Sequence, residues 1–369
     1  MEQRDVDGPV TIRDVAEKAG VALSSVSRVL SDHPDVSAKM RKRVEDAASE
    51  LGYQPDLLAQ SLRSGSTRTV GFVIRDISNP LFAVIARRCE QELRAAGYSM
   101  VLVNSDGDVE VEEGNLSLLR RRRVDGLIAS LESEVAKSTQ IALSRFPGPI
   151  VLLDRDMKDL NVGAVLCDHY TGCYAATADL ISRGHRAISL ITGSTEVRST
   201  RERLRGYRAA FHDAGLEPDE SLLSIGNFGD DYGKAETIRL AARKPAPSAF
   251  LTGGVLITAG ALRALTQLGR TPGIDIALVA LDEWPLFDIS VPSLASVSRD
   301  PNEMGTTAAR LLLDMLNGSE PTTLTVATTY TPRESLTTID SRPRKAASQG
   351  PRLARKSPRP QRSPDRDVG

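Results

Sequence analysis

The sequence has no long hydrophobic run. None of its apolar stretches approaches the roughly 18 consecutive residues that a membrane-spanning helix needs. The first ten residues, MEQRDVDGPV, are polar and lack the apolar centre of a secretory signal peptide. We therefore expect a cytoplasmic protein with no membrane partner.

Cysteine and histidine are also scarce, with three and four copies in 369 residues. Cys89, Cys167 and Cys173 form no CxxC pair, and none of them lies at zinc-site spacing from a histidine. Buried, reduced thiols fit this pattern and suit a reducing compartment. We expect neither a bound metal nor a cofactor.

The common catalytic motifs are missing as well. The sequence has no GxSxG nucleophile motif and no GxxxxGK[ST] phosphate loop, and TGGVL at 252–256 is too weak a match to such a loop. We therefore expect a protein that is not an enzyme. The net charge of −1 gives no compositional case for nucleic-acid binding, so that case has to come from local arrangement.

What is present is a chain long enough for two or three domains, with 40% hydrophobic and 26% charged residues. Its first region, residues 10 to about 65, has helical spacing and almost no strand pattern. Thr11 is placed to cap a short helix that Gly20 ends, and Ser37 to cap a longer helix that Gly52 ends.

From Thr69 onward, short apolar runs alternate with amphipathic stretches. The runs are TVGFVI, SMVLVN, DGLIAS, PIVLLD, AVLCD, AISLITG, AFLTGG and IALVALD. Such alternation predicts parallel strands covered by helices on both faces. The units are too many for one open sheet of usual size, so we expect an α/β core of two doubly wound lobes.

The C-terminal residues 341–369 have a different composition, with nine Lys/Arg, two Asp, five Pro and no aromatic residue. This predicts a disordered basic tail, either simply solvated or weakly attracted to DNA phosphates. The predicted division is a flexible N-terminus (1–9), a helical domain (10–54), a hinge or linker (55–66), a two-lobed domain (67–340) and the tail (341–369).

The second short helix, within VALSSVSRVL at 21–30, has two contrasting faces. On a helical wheel one side holds Val26, Val29 and Leu30, and the other holds Leu23, Ser24, Ser27 and Arg28. Two helices joined by a tight turn are typical of a helix-turn-helix, whose second helix lies in the major groove. Arg28 would then bind a guanine through two hydrogen bonds. The alternative is an ordinary solvated face, and spacing alone does not decide between them.

Longer sequence motifs distinguish between these two interpretations better than the spacing of one helix does. The first region contains D-V-A-x-x-A-G-V, V-S-R-V-L, V-S and L-G-Y-x-P, and the core contains DISNPLF, RVDGLI, RGHRAISLITG, RERLRGY and PNEMGTTAARLLLDML. From about Val10 to Ser335 the chain resembles the lactose/galactose repressor family, LacI/GalR. The resemblance implies a transcriptional regulator, expected to be a repressor, with an all-α helix-turn-helix headpiece and a core like that of periplasmic binding proteins.

The resemblance also implies a homodimer bound to a near-palindromic operator in double-stranded DNA. The residues it places at bases are Leu23, Ser24 and Arg28, and those at or near the DNA backbone are Thr11, Ser25, Ser27, Ser37 and Tyr53. The segment DLLAQSLRSG resembles a hinge helix, with Leu62 as a wedge in the minor groove. An ordinary linker with a buried leucine is the alternative. Ala22 stands where relatives commonly have a capping serine or threonine.

Two facing lobes make a cleft, in which ligand-binding groups lie at the carboxyl ends of strands. This rule selects Asp154, Asp168, Gly254 and Asp282. The alternative role of a strand-end aspartate is to cap the next helix.

The family resemblance implies that the cleft binds a small-molecule effector, either a sugar-like molecule or another small metabolite. It also adds residues to the strand-end candidates. Arg203 matches an arginine that contacts the effector, and Asp282 matches an aspartate that accepts its hydrogen bonds. Phe228 matches an aromatic platform and Phe82 a wall of the pocket. Arg155 is expected to line the cleft.

The chain departs from the family at three positions. Many relatives have Asn followed by Asp or Asn where this chain has Gly254 and Val255, and asparagine is frequent where it has His169. Because glycine and valine offer no side-chain hydrogen bonds, either the effector has fewer hydroxyls than a simple sugar or effector control is altered or lost. A solute-binding receptor without DNA function would fit the core alone, but the headpiece argues against it.

Overall fold

The computed structural model describes residues 10–30, 33–53 and 65–339. Three helices come first: α1 (Ile12–Ala19), α2 (Leu23–Leu30) and α3 (Ala38–Leu51). Val15, Val26 and Val44, one from each helix, are buried together in a small apolar core. The predicted all-α headpiece is therefore confirmed, whereas residues 55–64 of the predicted hinge segment, Leu62 among them, lie outside the described residues.

The turn between α1 and α2 depends on Gly20. This residue has φ 59° and ψ 44°, a left-handed conformation that glycine adopts without strain. A β-carbon here would lie only 2.7 Å from Nη2 of Arg43, which donates a hydrogen bond of 3.1 Å to the Gly20 carbonyl. The positive φ favours glycine at this turn, and a β-carbon would in addition force the Arg43 guanidinium to shift.

The rest of the described chain forms twelve strands and a set of helices. The strands are β1 (Thr69–Ile74), β2 (Ser99–Asn104), β3 (Gly126–Ala129), β4 (Ile150–Leu153), β5 (Gly163–Cys167), β6 (Ile188–Gly193), β7 (Leu223–Gly226), β8 (Ala249–Thr252), β9 (Ala277–Ala280), β10 (Ala295–Ser298), β11 (Thr323–Val326) and β12 (Thr329–Thr331). The helices are α4 (Pro80–Ala95), α5 (Val109–Arg121), α6 (Lys137–Ser144), α7 (His169–Ser182), α8 (Arg198–Asp213), α9 (Asp230–Ala241), α10 (Val255–Gln267), α11 (Pro285–Ile289) and α12 (Pro301–Leu316), with a 3₁₀ turn at Glu220–Leu222.

The strands form two six-stranded sheets, one in each lobe. The first has the order β11-β5-β4-β3-β1-β2, with parallel pairing throughout. The second has the order β12-β10-β9-β8-β6-β7, and β12 pairs antiparallel with β10. Each sheet is covered on both faces: Phe72 and Val73, adjacent in β1, belong to separate apolar clusters, and so do Leu190 and Ile191, adjacent in β6. The predicted core of two doubly wound lobes is confirmed.

The chain crosses between the lobes three times. The crossings lie between β5 and α7, between β10 and α12, and between β11 and β12. The hydroxyl of Thr328, in the last crossing, donates a hydrogen bond of 2.8 Å to the carbonyl of Asp168, in the first. The first and last crossings are therefore hydrogen-bonded to each other, and we call the three crossings together the hinge.

Four strands were not among the predicted apolar runs, namely β7, β10, β11 and β12. They contain three or four residues, and each includes serine or threonine, so their apolar pattern is short. The three cysteines are free and buried, as expected. No helix in the described part of the chain has both the length and the apolar character needed to cross a bilayer.

Candidate functional site

The exposed face of α2 carries the predicted base-contacting side chains. Leu23 is 44% exposed, and Ser24 and Arg28 are also exposed. Val26 and Val29, on the opposite side, are buried against α1 and α3. An apolar stripe thus fixes the helix in the headpiece while the face that would enter a groove stays open to solvent.

The residues predicted at the DNA backbone belong to the same three-helix unit. Ser25 and Ser27 are partly buried on α2, and Tyr53 is partly buried after α3. Thr11 is exposed at the start of α1, where the Asp14 carboxylate accepts hydrogen bonds from its amide and its hydroxyl, both 2.7 Å. Ser37 caps α3, its hydroxyl accepting from the amide of Met40 at 3.3 Å.

Helix α2 has no side-chain cap at its N-terminus, because Ala22 precedes it. The carbonyl of Ala22 accepts the amides of Ser25 and Val26 at 2.9 and 3.2 Å, but the alanine methyl accepts none. A missing cap of this kind costs about 1 kcal/mol. Packing of Val26 and Val29 against the neighbouring helices is the stabilisation that the structure offers in its place.

A cavity of about 60 Å³ lies between the lobes. All seven side chains or backbone positions predicted for the effector site line it: Phe82, Asp154, Arg155, Arg203, Phe228, Gly254 and Asp282. They come from both lobes, since Phe82 is on α4 and Arg203 is on α8. The strand-end rule failed for Asp168, which instead caps α7 by accepting the Thr171 amide at 3.0 Å.

Two arginines that line the cavity were missed in the sequence. Arg75 directly follows β1, and Arg299 directly follows β10. Both positions satisfy the rule that site residues follow the carboxyl ends of strands. Applied to TVGFVI, the rule would have found Arg75, whereas Arg299 was hidden because β10 itself was not recognised.

The Asp282 carboxylate is held between two buried arginines. Nη1 of Arg299 is 3.0 Å from Oδ1, and Nη2 of Arg203 is 3.1 Å from Oδ2. Arg203 also donates to the carbonyls of Gly253 at 2.8 Å and Leu281 at 3.0 Å. Although burial lowers the pKa of Arg299, the Asp282 and Asp154 carboxylates raise it above the usual range, so its guanidinium stays charged.

Each carboxylate oxygen of Asp154 also has a hydrogen-bond partner, as in Asp282. Its Oδ2 is 2.6 Å from Nε2 of His169, and its Oδ1 accepts the amide of Cys167 at 3.2 Å. Burial opposes ionisation, but His169 and Arg299 together hold the Asp154 pKa below its ordinary value. Burial lowers the pKa of His169, and the neighbouring Asp154 offsets this only in part. The lowered pKa of Asp154 and the lowered pKa of His169 both fit an ionised carboxylate that accepts the Nε2 hydrogen of a neutral imidazole.

Asp154, Cys167 and His169 offer ligand atoms within 4.8 Å of one another, a grouping that sequence spacing did not predict. Their chemistry does not suit a divalent cation. Burial raises the pKa of the Cys167 thiol, which disfavours the thiolate that metals bind. Nη1 of Arg299 lies 3.7 Å from Oδ2 of Asp154 and already places a positive charge there.

Polar contacts join the lobes on both sides of the cavity. Arg75, in the first lobe, donates to Oδ1 of Asn227 at 3.2 Å and lies over the Phe228 ring, 5.2 Å from its centre. On the other side the buried Glu134 carboxylate accepts the amide of Arg198 at 2.8 Å and pairs with Arg201 at 2.5 Å. The lobes are therefore closed on each other in this structure.

Comparison with known proteins gives two family matches. Residues 11–56 match the model described as "Bacterial regulatory proteins, lacI family", and residues 177–336 match the model described as "Periplasmic binding protein-like domain". Among curated proteins, the ribose operon repressor of Escherichia coli strain K12 is 33% identical over 313 residues, which are 85% of this chain and 94% of that protein.

Solved structures agree with these matches. The lac repressor dimer bound to operator and the anti-inducer ONPF has a TM-score of 0.76 and 26% identity, with 89% of this chain and 99% of that one covered. The complex of the transcriptional regulator CelR with cellobiose has a TM-score of 0.67 and 32% identity, with 88% of this chain and 99% of that one covered.

Proposed function

The chain belongs to the LacI family of bacterial regulatory proteins, and on that premise we propose a repressor whose operator affinity responds to a small molecule between its lobes. It is a sequence-specific DNA-binding transcriptional regulator, as its relatives are. The observation that carries the effector part is the interlobe cavity, because residues from both lobes meet there beside the three-crossing hinge. A ligand that changes lobe closure therefore changes the geometry at the hinge.

Operator sequence is read by the exposed face of α2. Leu23, Ser24 and Arg28 contact base edges, and Arg28 supplies about 1 to 3 kcal/mol of discrimination if it binds a guanine through two hydrogen bonds. Thr11, Ser25, Ser27, Ser37 and Tyr53 lie at the backbone and fix the register. Leu62, which lies outside the described residues, is the proposed minor-groove wedge of the segment at 55–66.

Two copies of the chain are needed to read a near-palindromic operator, whose half-sites lie about 34 Å apart or a multiple of it. An apolar surface on the second lobe suits pairing of two copies. Leu286 and Ile289 on α11 and the nearby Val291 are 47%, 73% and 96% exposed. We assign this surface to the homodimer interface, since a C2 dimer buries the same patch on both subunits.

Ligand control needs only a modest free-energy coupling between lobe closure and operator binding. A difference of about 1 to 3 kcal/mol in operator binding between the open and closed lobes changes affinity about 5- to 150-fold. Hinge closure of two lobes around a ligand is a common source of such a difference. The proposed place of action is the bacterial cytoplasm, where the operator is.

A regulator without effector control is the second candidate, favoured by Gly254 and Val255, which offer no side-chain hydrogen bonds. We further propose that the chain is not an enzyme, because its relatives are named for regulation. Incubation of purified protein with bound small molecules, followed by product analysis, tests this. Turnover would contradict it.

DNA footprinting on the protein's own upstream region tests the operator hypothesis. We expect one protected, near-palindromic site, and loss of that protection when α2 carries Arg28→Ala. Absence of any protected palindrome there or elsewhere in the genome would contradict the proposal. Removal of residues 341–369 should leave the protected site unchanged, because the basic tail attracts phosphates without reading sequence.

A further inference from the structure

Helix α8 begins without a capping side chain of its own. Val197 precedes the helix in an extended conformation, with φ −118° and ψ 143°, and its apolar side chain accepts no hydrogen bond from the first turn. The first amides of a helix have no partner within the helix and need one from elsewhere. Ser199, in this turn, lines the interlobe cavity, so the group that supplies the partner also acts on the cavity wall.

The partner comes from the other lobe. Glu134 lies in the loop after β3, and its Oε1 accepts the amide of Arg198, the first residue of α8, at 2.8 Å. Its Oε2 pairs with Nη2 of Arg201 at 2.5 Å. The main chains are joined as well, since the Glu134 amide donates to the carbonyl of Glu196 at 3.1 Å. One residue of the first lobe thus makes three contacts with the start of α8 and the loop before it.

The same carboxylate oxygen is bonded to the first-lobe wall of the cavity. Oε1 of Glu134 accepts the amide of Asp156 at 3.2 Å, and Asp156 directly follows Asp154 and Arg155, which line the cavity. Glu134 is only 5% exposed and is not among the described residues that line the cavity. It therefore acts on a ligand through the two walls and not by contact.

From this arrangement we propose that Glu134 is a latch between the lobes, which caps α8 only when the cleft is closed and so joins the two walls of the effector cavity. Glu134 is thus a positioning residue. The inference rests on the proposed effector site and names a residue that regulates it.

Burial indicates which contact of the latch matters most. The Arg201 side chain is 42% exposed, so solvent screens its ion pair with Glu134 and the pair contributes little. The bond to the Arg198 amide has a buried, charged acceptor at a helix N-terminus, where the helix dipole favours negative charge. Opening of the cleft separates this carboxylate from α8. The bond to the helix amide is therefore the main contribution of the latch to closure.

A thiol placed in the cavity reports on lobe opening without any ligand. Val255 lines the cavity at the start of α10, is 2% exposed, and belongs neither to α8 nor to the loop of Glu134. In a Val255→Cys parent protein, we expect Glu134→Ala to speed modification of the introduced thiol by methyl methanethiosulfonate at least tenfold. Glu113→Ala, at an exposed glutamate on α5, is the matched control and should leave the rate unchanged.

The native cysteines distinguish opening from unfolding. Cys89 and Cys173 are buried in the apolar cores of the first and the second lobe, so neither should react faster when the lobes part. Mass spectrometry of peptides assigns the modification to each thiol, and faster reaction of the introduced thiol alone is the expected result. Equal rates in Glu134→Ala and Glu113→Ala, or a parallel rise at Cys89 and Cys173, would overturn the proposal.

Two milder variants keep the test decisive if Glu134→Ala fails to fold. Glu134→Gln keeps an acceptor oxygen but loses the charge, whereas Arg201→Gln removes only the exposed ion-pair partner. We expect Glu134→Gln to react faster than the parent protein and Arg201→Gln to react at nearly the parent rate. The reverse order would mean that the ion pair, and not the cap on α8, closes the lobes.

Operator affinity of the same variants, measured by fluorescence anisotropy, separates this inference from the proposed function. Faster thiol modification with unchanged operator affinity supports the latch and contradicts regulation through lobe closure. Unchanged thiol modification with altered operator affinity contradicts the latch and leaves the proposed function standing.

Discussion

Arg299 and Asp282 form a buried ion pair at 3.0 Å that joins a crossing between the lobes to the end of β9 in the second lobe. Arg299 also lies 3.7 Å from Asp154, which follows β4 in the first lobe. One guanidinium thus interacts with both lobes at the hinge. We propose this shared guanidinium as the contact through which a ligand in the cavity acts on the hinge.

Removal of the Asp282 charge should uncouple the ligand from DNA binding. Asp282→Asn leaves Arg203 and Arg299 buried with less compensation, which costs about 3 to 5 kcal/mol when one partner of a buried pair is lost. We expect a lower melting temperature of the core and operator binding that no longer responds to effector. Calorimetry and anisotropy measure the two effects. Asp314→Asn, at an exposed aspartate on α12, should change neither.

Arg28 should contribute to sequence preference more than to general affinity. Arg28→Ala is expected to reduce the preference for operator over random DNA by about 1 to 3 kcal/mol, with a smaller loss on random DNA. Binding to both DNAs across a salt series is the measurement, and Arg120→Ala is the control. Equal losses on the two DNAs would mean that Arg28 contacts only phosphate.

Much of the fold and site was predictable from the sequence because the relevant signals are local. Strands such as TVGFVI have long apolar runs, and Arg203 and Asp282 lie in or beside recognisable patterns. Arg299 was not predictable, because β10 reads ASVS, a four-residue run with two serines. The Asp154–His169 contact was also hidden, since burial and hydrogen bonding across a loop leave no periodic trace.

Gly20 should tolerate alanine less well than Gly52. Both have positive φ, 59° and 63°, so alanine strains the backbone at each by about 1 kcal/mol or more. At Gly20 the added β-carbon also meets Arg43 at 2.7 Å, whereas at Gly52 nothing lies within 4 Å. Thermal unfolding of the headpiece should therefore show a larger loss for Gly20→Ala. Equal losses would mean that Arg43 moves aside freely.

Acid should destabilise the protein through His169 and His185. Burial lowers the pKa of both imidazoles in the folded state, so below the unfolded value of about 6.5 the unfolded chain binds more protons. Stability is therefore expected to fall as pH drops from 7 to 5, by up to about 1.4 kcal/mol per pH unit for each histidine. His169→Asn should make the denaturant midpoint less dependent on pH. His212→Asn, at an exposed histidine, is the control, and an unchanged slope for His169→Asn would contradict the assignment.

The apolar surface at α11 should be required for dimer formation. Val291 is 96% exposed and Ile289 is 73% exposed, so an aspartate at either position can be solvated in the monomer without disturbing a core. In a C2 dimer the same substitution places two carboxylates in one apolar contact, where burial and repulsion both oppose association. We expect Val291→Asp to shift sedimentation velocity profiles toward the monomer and to weaken binding to a full operator far more than to a half-site. Ile274→Asp is the matched control, because Ile274 is 70% exposed before β9, at the opposite end of that strand from α11. A Val291→Asp protein that remains dimeric would exclude this surface as the interface.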